Sequence, residues 1–316
     1  MSRRACVVGS GPNGLAAATV LAQAGLEVDV FEAESLPGGA ARTMELTLPG
    51  FLHDFGSAVH PMAAGSPFFS SLPLEAHGLE WIHSPAPLAH PLDDGTAVML
   101  ERDLKDAEAA LEADGKIWCR LMRPFVEHWS EFACEVLRPL PAIPKRPWLM
   151  ARFGMSALLS AKVIARRFRN PRTRALFAGL AAHSFLSLDQ TLSGAFGMLV
   201  AIPAHAVGWP IARGGSQSLI NALCGYLGTF ASKVKTYRGD VTDERQVTET
   251  IAAILTDFGP HPDVLCNNAG GGESGWFESG RDAEWHGVEI WRRYVELNLN
   301  SVYIVSREIV PRMVAQ

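Results

Sequence analysis

Ala5-Cys6-Val7-Val8-Gly9-Ser10-Gly11-Pro12-Asn13-Gly14 sets a short apolar run directly against a glycine turn. The stretch 15–24 is alanine-rich and free of breakers, which predicts a helix stopped by Gly25. Glu27-Val28-Asp29-Val30-Phe31 predicts a second strand, ending at Glu32. Strand, G-x-G-x-x-G turn, helix, strand and acid thus follow one another, the acid 18 residues past Gly14. Each glycine serves a distinct physical purpose. Gly9 permits the tight turn, Gly11 lets the backbone approach a pyrophosphate, and Gly14 lets helix and strand pack closely. With Pro12 and Asn13 they form the start of a helix, whose free N–H groups favour an anion. Glu32 is placed to accept hydrogen bonds from ribose hydroxyls and disfavours a 2′-phosphate, so the expectation is a dinucleotide site that does not take NADP.

The rest of the chain bounds this reading. With 316 residues, 48% of them hydrophobic and 19% charged, the chain has room for about two domains and is too apolar for disorder. A net charge of −5 and a pI near 6.1 argue against a general nucleic-acid binder. Cys6, Cys119, Cys134, Cys224 and Cys266 are odd in number and lack a C-x-x-C pair. That excludes a zinc ribbon and a disulfide framework, fits a reducing compartment, and predicts buried, inert thiols. No secretory leader is visible, and the apolar stretch 193–212 is broken by Pro203, His205 and Pro210, so a soluble, cytoplasmic protein is expected.

Charge is unevenly placed. Residues 1–233 hold 20 basic and 20 acidic side chains, whereas 234–316 hold 8 and 13, which suggests a boundary near 233. Between 75 and 135 there are 13 acids against 5 bases; between 136 and 188 there are 10 bases and no acid. The basic segment 138–174 either pairs with the acidic one before it or faces an anionic membrane surface. Within it, 155–169 reads as one helix with Lys162, Arg166 and Arg169 on one side.

Directly after Glu32 stands Leu36-Pro37-Gly38-Gly39-Ala40-Ala41-Arg42-Thr43. Here the chain resembles the FAD-dependent amine oxidases and phytoene desaturases, in which a Gly-Gly loop with an arginine follows the ribose-binding acid and lies against the flavin. The usual arginine after the second glycine is Ala40, so Arg42 inherits the cationic contact. The stretches 51–61 and 85–92, and Trp209-Pro210-Ile211-Ala212-Arg213-Gly214-Gly215-Ser216-Gln217 before a helix at 218–226, look like the phytoene-desaturase-like branch. The resemblance covers about 1–233, and implies FAD held by Gly38, Gly39, Arg42, Thr43, Gly214 and Gly215 besides the first loop. The apolar stretch 193–212, read as a loop, points to an apolar substrate. His60 and His90 are weak candidates for a place near the flavin or substrate, a core or surface histidine being the commoner outcome.

Past residue 233 a second pattern begins. Val234-Lys235-Thr236-Tyr237-Arg238-Gly239-Asp240-Val241 reads as a strand ending in an acid. Thr242 is a candidate N-cap for a helix with Val247, Ile251, Leu255 and Phe258 on one face, which Gly259 stops. Asp263-Val264-Leu265-Cys266 is a further strand, followed by Asn267-Asn268-Ala269-Gly270 and a long helix containing Asn298 that ends near Pro311. This segment resembles the middle of a short-chain dehydrogenase/reductase. The resemblance implies that Asp240 and Val241 contact adenine, that Asn267, Ala269 and Gly270 line a nicotinamide-nucleotide site, and that Asn298 belongs to the catalytic tetrad. The family's own glycine turn and its Ser and Tyr-x-x-x-Lys are not found, so NAD(P)-dependent hydride transfer is not expected.

The expected fold is α/β: an FAD-binding Rossmann-like domain at 1–233 with a helical insert near 100–200, and a partial Rossmann segment at 234–316. The expected function is an FAD-dependent oxidoreductase taking hydride from an apolar substrate C–H. The alternatives are an inactive fusion or fragment of two oxidoreductases, or a short-chain NAD(P) reductase. Because both resemblances point to doubly wound sheets, 234–316 is expected to complete the parallel sheet begun at 5–31.

Overall fold

The structure, a computed structural model, describes residues 3–138, 143–184, 186–230, 233–237, 239–258, 263–269, 292 and 295–314. Two compact units emerge: one from 1–58, 74–79 and 214–316, the other from 59–73 and 80–213. The described residues of 234–316 belong to the same unit as the first glycine turn.

The first unit is a parallel sheet of β1 (Arg4–Val8), β2 (Glu27–Glu32), β3 (Lys233–Thr236) and β4 (Val264–Asn267), in the order β4-β1-β2-β3. That is the 3-2-1-4 core of a doubly wound nucleotide-binding fold. Its inner strands come from the beginning of the sequence and its outer strands from the end. Ala5 to Val8 lie beside Val264 to Asn267, and Asp29 to Glu32 beside Lys233 to Thr236.

Helix α1 (Pro12–Gln23) returns from β1 to β2 and packs against both, with α2 (Gln217–Gly228) alongside it. Proline in the first turn of α1 donates no hydrogen bond, and none is needed there. Gly25, at φ +84°, closes the helix by donating to the Ala22 carbonyl. Side chains alternate across a strand, so Cys6 of β1 and Phe31 of β2 face away from their neighbours and meet Ile254 of α3 (Glu244–Phe258). Val247 and Ile251 of α3 pack with Ile304, Val305 and Ile309 of α4 (Ser301–Val314).

Several local expectations change. Asp243, not Thr242, caps α3: its carboxylate accepts from the backbone N–H of Arg245 and Gln246, while Thr242 is tied back to Asp240. Pro311 lies within α4, which continues to Val314. Asn298 precedes that helix in a π-turn, Glu296–Asn300. Gly259 and the Phe258 side chain lie outside the described residues.

The second unit is mainly helical. Trp118, Phe125, Phe132, Phe168 and Phe177 are fully buried at its centre. The helix Ser193–Ala206 runs through this core, burying Met198, Ala201, Ile202 and Ala204. Most of the apolar stretch expected as a substrate loop is thus a core helix, and packing accounts for its composition. Gly197 makes this possible, since a Cβ there would stand 2.8 Å from the Phe177 ring. The predicted helix 155–169 is instead divided between Pro147–Ala157 and Ala161–Ala165, because the Ser160 hydroxyl accepts from the Val163 N–H and starts a new helix. A two-stranded ribbon, Leu88–Pro91 with Ala97–Leu100, turns at Asp94-Gly95.

Among the described residues, no helix is long and apolar enough to cross a membrane, and no cluster of three metal-ligating side chains occurs. The five cysteines are free. Burial pushes the Cys6 thiol far up, with Asp29 nearby adding to the effect, and raises Cys224 to about 11. Cys134 is exposed, against the expectation of five buried thiols.

Candidate functional site

The candidate nucleotide site of the first unit is built at the carboxyl ends of the strands. Gly9 follows β1 at φ +95°, a left-handed conformation that favours glycine, and its N–H donates to the Phe31 carbonyl (2.7 Å). Gly14 sits against the turn: a Cβ there would collide with the Gly9 carbonyl and lie 2.7 Å from the Asn268 amide nitrogen. Gly11 is different. It has ordinary extended angles, and a Cβ on it would meet nothing within 4 Å. The space in front of Gly11 is therefore open, no side chain caps α1, and no acid occupies its first turn. An open backbone cradle at an uncapped helix N-terminus is what a pyrophosphate needs.

Glu32, at the end of β2, accepts from the Ser10 N–H (2.9 Å) and hydroxyl (2.5 Å) through one oxygen, and from the Glu34 N–H (3.1 Å) through the other. The carboxylate is thereby oriented beside the glycine turn. The buried Ser10 hydroxyl in turn accepts from the Gly38 N–H (3.2 Å), coupling the first loop to the second. Gly39 comes so close that a Cβ on it would stand 3.3 Å from the Gly11 Cα. Arg42 secures this approach: its Nε donates to the Gly39 carbonyl (2.9 Å), it pairs with Glu34 (3.4 Å), and its guanidinium lies over the Phe55 ring at 5.0 Å.

Thr43 and Asp54 face each other across the ribbon Thr43–Glu45 with Leu52–Asp54 (2.6 Å). Gly214 and Gly215, both left-handed, turn the chain into α2. At the start of α2 the Ser216 N–H donates to Asp54 (2.8 Å) and the Gln217 N–H to Thr43 (3.0 Å). These two amides serve the protein itself. The leading amides of this second helix N-terminus are thus engaged within the protein.

The outer strands complete a cleft beside Glu32. Phe31, Ala33, Tyr237, Gly239, Val241 and Ala269 form much of its apolar wall. The Phe31 and Tyr237 rings are 5.1 Å apart, and the Tyr237 hydroxyl donates to Asp257. Of the residues implied by the second resemblance, Val241 and Ala269 line this cleft. Asp240 turns to the N–H and hydroxyl of Thr242 (2.8 and 2.7 Å), and Asn267 donates to Ser306 of α4 (3.1 Å). Gly270 lies outside the described residues, and Asn298 is exposed. His60 belongs to the second unit, buried, with its ring 5.7 Å from that of Trp81. His90 is there too, against Gly179, with its pKa lowered chiefly by burial.

Sequence reasoning did not single out Ser10, Asp54 or Asn268. Ser10 carries a local signal, a hydroxyl inside the glycine turn. Asp54 and Asn268 act on residues far away in the chain, and nothing next to them marks that.

Residues 7–70 match the family model of an NAD(P)-binding Rossmann-like domain, and residues 196–316 match that of the short chain dehydrogenases. The second match begins well before residue 233, within the core helix Ser193–Ala206. Over 82 residues the chain is 37% identical to a 2-dehydro-3-deoxy-D-gluconate 5-dehydrogenase of Pseudoalteromonas atlantica, covering 26% of this chain and 30% of the relative. Over 102 residues it is 37% identical to the pyridine nucleotide-disulfide oxidoreductase domain-containing protein 2 of Mus musculus, covering 32% of this chain and 17% of the relative. The matched segments thus span less than a third of either relative's length. Among solved structures, an oxidoreductase from Methanosarcina mazei aligns at a TM-score of 0.46 and 19% identity, over 74% of this chain and 51% of that one.

Proposed function

We propose that the first unit binds FAD and that the chain is a flavin-dependent oxidoreductase of the phytoene-desaturase-like group. The observation that carries this reading is the fold of the second glycine loop onto the first. Gly39 is pressed against Gly11, Ser10 links Gly38 to Glu32, and Arg42 is held at the Gly39 carbonyl. The open Gly11 cradle takes the pyrophosphate, Glu32 the adenosine ribose, and the apolar cleft beside it the adenine. When bound, FAD supplies a two-electron acceptor for a hydride leaving a substrate carbon. The protein places the cofactor and shields it. Packing accounts for the composition of the helix Ser193–Ala206, so the stretch that pointed to an apolar substrate no longer supports one.

A second reading, NAD bound in the same cleft, is favoured by one observation: Val241 and Ala269, from the dehydrogenase-like segment, form its wall. Visible absorbance of the purified, desalted protein separates the two. Flavin bands, present as purified or after added FAD and a second desalting, are the expected result. A protein that stays colourless yet binds NAD in a calorimetric titration overturns the flavin assignment in favour of the second reading. Binding neither nucleotide overturns both.

A further inference from the structure

In the second unit, the helix Pro147–Ala157 buries Phe153 and Ala157 and turns its other face outward. At about 100° per residue, positions 148, 152 and 155 fall on one side. That side carries Trp148, 79% exposed, Arg152, and Met155, 67% exposed; Ile143 (91%) precedes the helix and Leu158 (65%) ends it. An exposed tryptophan with three exposed aliphatic neighbours is an unusual solvent face for an 11-residue helix.

The segment that carries it has charge of one sign, since 136–188 holds 10 bases and no acid. Part of that charge is answered within the unit: Arg138 pairs with Glu135, Arg146 with Glu131 (3.0 Å), and Lys162 with Asp189 (2.9 Å). Lys145 and Arg152, next to the exposed side chains, have no carboxylate partner among the described residues; Arg152 reaches only the Arg120 carbonyl. Pairing with the acidic segment therefore accounts for Arg138 and Arg146, and leaves Lys145 and Arg152, on either side of Trp148, without a carboxylate.

We propose that this helix and its basic flank dock on an anionic lipid surface. Tryptophan is favoured at the level of lipid headgroups, the aliphatic side chains enter the acyl boundary, and Lys145 and Arg152 meet the anionic headgroups. A second copy of the chain would bring the same positive charge against itself, which disfavours self-association through this face. The proposal is independent of the nucleotide reading.

The test is flotation of the whole protein with phosphatidylcholine vesicles, with and without phosphatidylserine. Binding to the anionic vesicles, weak or absent on the neutral ones and falling with salt, is expected. The double variant Trp148→Ser/Met155→Ser, changed only at exposed positions, should bind at least tenfold less while keeping its circular dichroism spectrum. Replacing either Lys145 or Arg152 by Gln should lower the partition coefficient about fivefold. No binding to anionic vesicles overturns the proposal. So does equal binding by the double variant, or a dimer in sedimentation that only the wild type forms.

Discussion

Among single residues, Gly11 and Gly14 separate binding from folding. A Cβ at Gly11 meets no atom within 4 Å and its backbone angles suit any residue. Gly11→Ala should melt within a degree or two of the wild type and yet bind nucleotide at least tenfold more weakly, because the methyl occupies the approach of the pyrophosphate. A Cβ at Gly14 strikes the Gly9 carbonyl, so Gly14→Ala should cost about 2 kcal/mol of stability. Thermal melts with a parallel FAD titration check both, and a Gly11→Ala protein that retains FAD at wild-type affinity contradicts the placement of the phosphate. That Gly9 and Gly14 have to be glycine was legible in the spacing of the motif. The role of Asn268 was not: it lies 259 residues from Gly9, to which its amide donates (3.5 Å), and no local pattern marks so distant a partner.

For the helical elements, two buried polar groups decide the outcome. Asp114, fully buried, accepts from the backbone N–H of Arg169 and Asn170, each at 2.7 Å. Asp114→Ala strands both donors and should cost about 3 kcal/mol in chemical denaturation, while Asp114→Asn retains one acceptor and should cost less. His205 accepts from the Trp118 indole N–H (2.9 Å), and its other nitrogen lies 3.0 Å from the Arg102 carbonyl. Indole nitrogen only donates, so Nε2 of His205 must be unprotonated and Nδ1 carries the hydrogen. Burial chiefly, opposed by the backbone partners and by Asp103, holds this pKa below the ordinary histidine value. The unfolded chain then binds more protons than the folded one, and stability rises with pH. The contribution is present above about pH 6.5 and is lost as the pH falls below it. Melting curves from pH 7.5 to 5 should show this loss, and His205→Gln should flatten the slope. Helix boundaries were less legible than these elements' existence: Ser160 divides the predicted helix 155–169 through a hydroxyl-to-backbone bond that competes with helix continuation.

Over the whole molecule, the sheet is a composite, and its stability should be one cooperative property. The sequence showed both families of pattern because each glycine turn, strand and acid is local. It showed that the two could share a sheet only through the parallel, doubly wound habit common to both. The order β4-β1-β2-β3 then follows from a simple need: β1 and β2 are inner strands of such a sheet, and each has a partner on its outer side only because 233–267 supplies β3 and β4. The sheet face that carries Cys6 and Phe31 is covered by Ile254 of α3, again from the end of the chain. Removing 234–316 takes away β4, α3, α4 and nearly all of β3 together. What remains is a two-stranded sheet with both edges bare and one face exposed to water, an arrangement marginally stable at best. The chain cut at residue 233 should therefore lose the nucleotide-binding unit entirely, while the helical unit of 59–73 and 80–213 keeps a core of its own around Trp118 and Phe177. Limited proteolysis of the intact protein followed by mass spectrometry makes the test: the first stable fragments should fall within 59–213. Release of a folded, nucleotide-binding core spanning 1–233 would show that the dehydrogenase-like segment is an appendage and not part of the sheet.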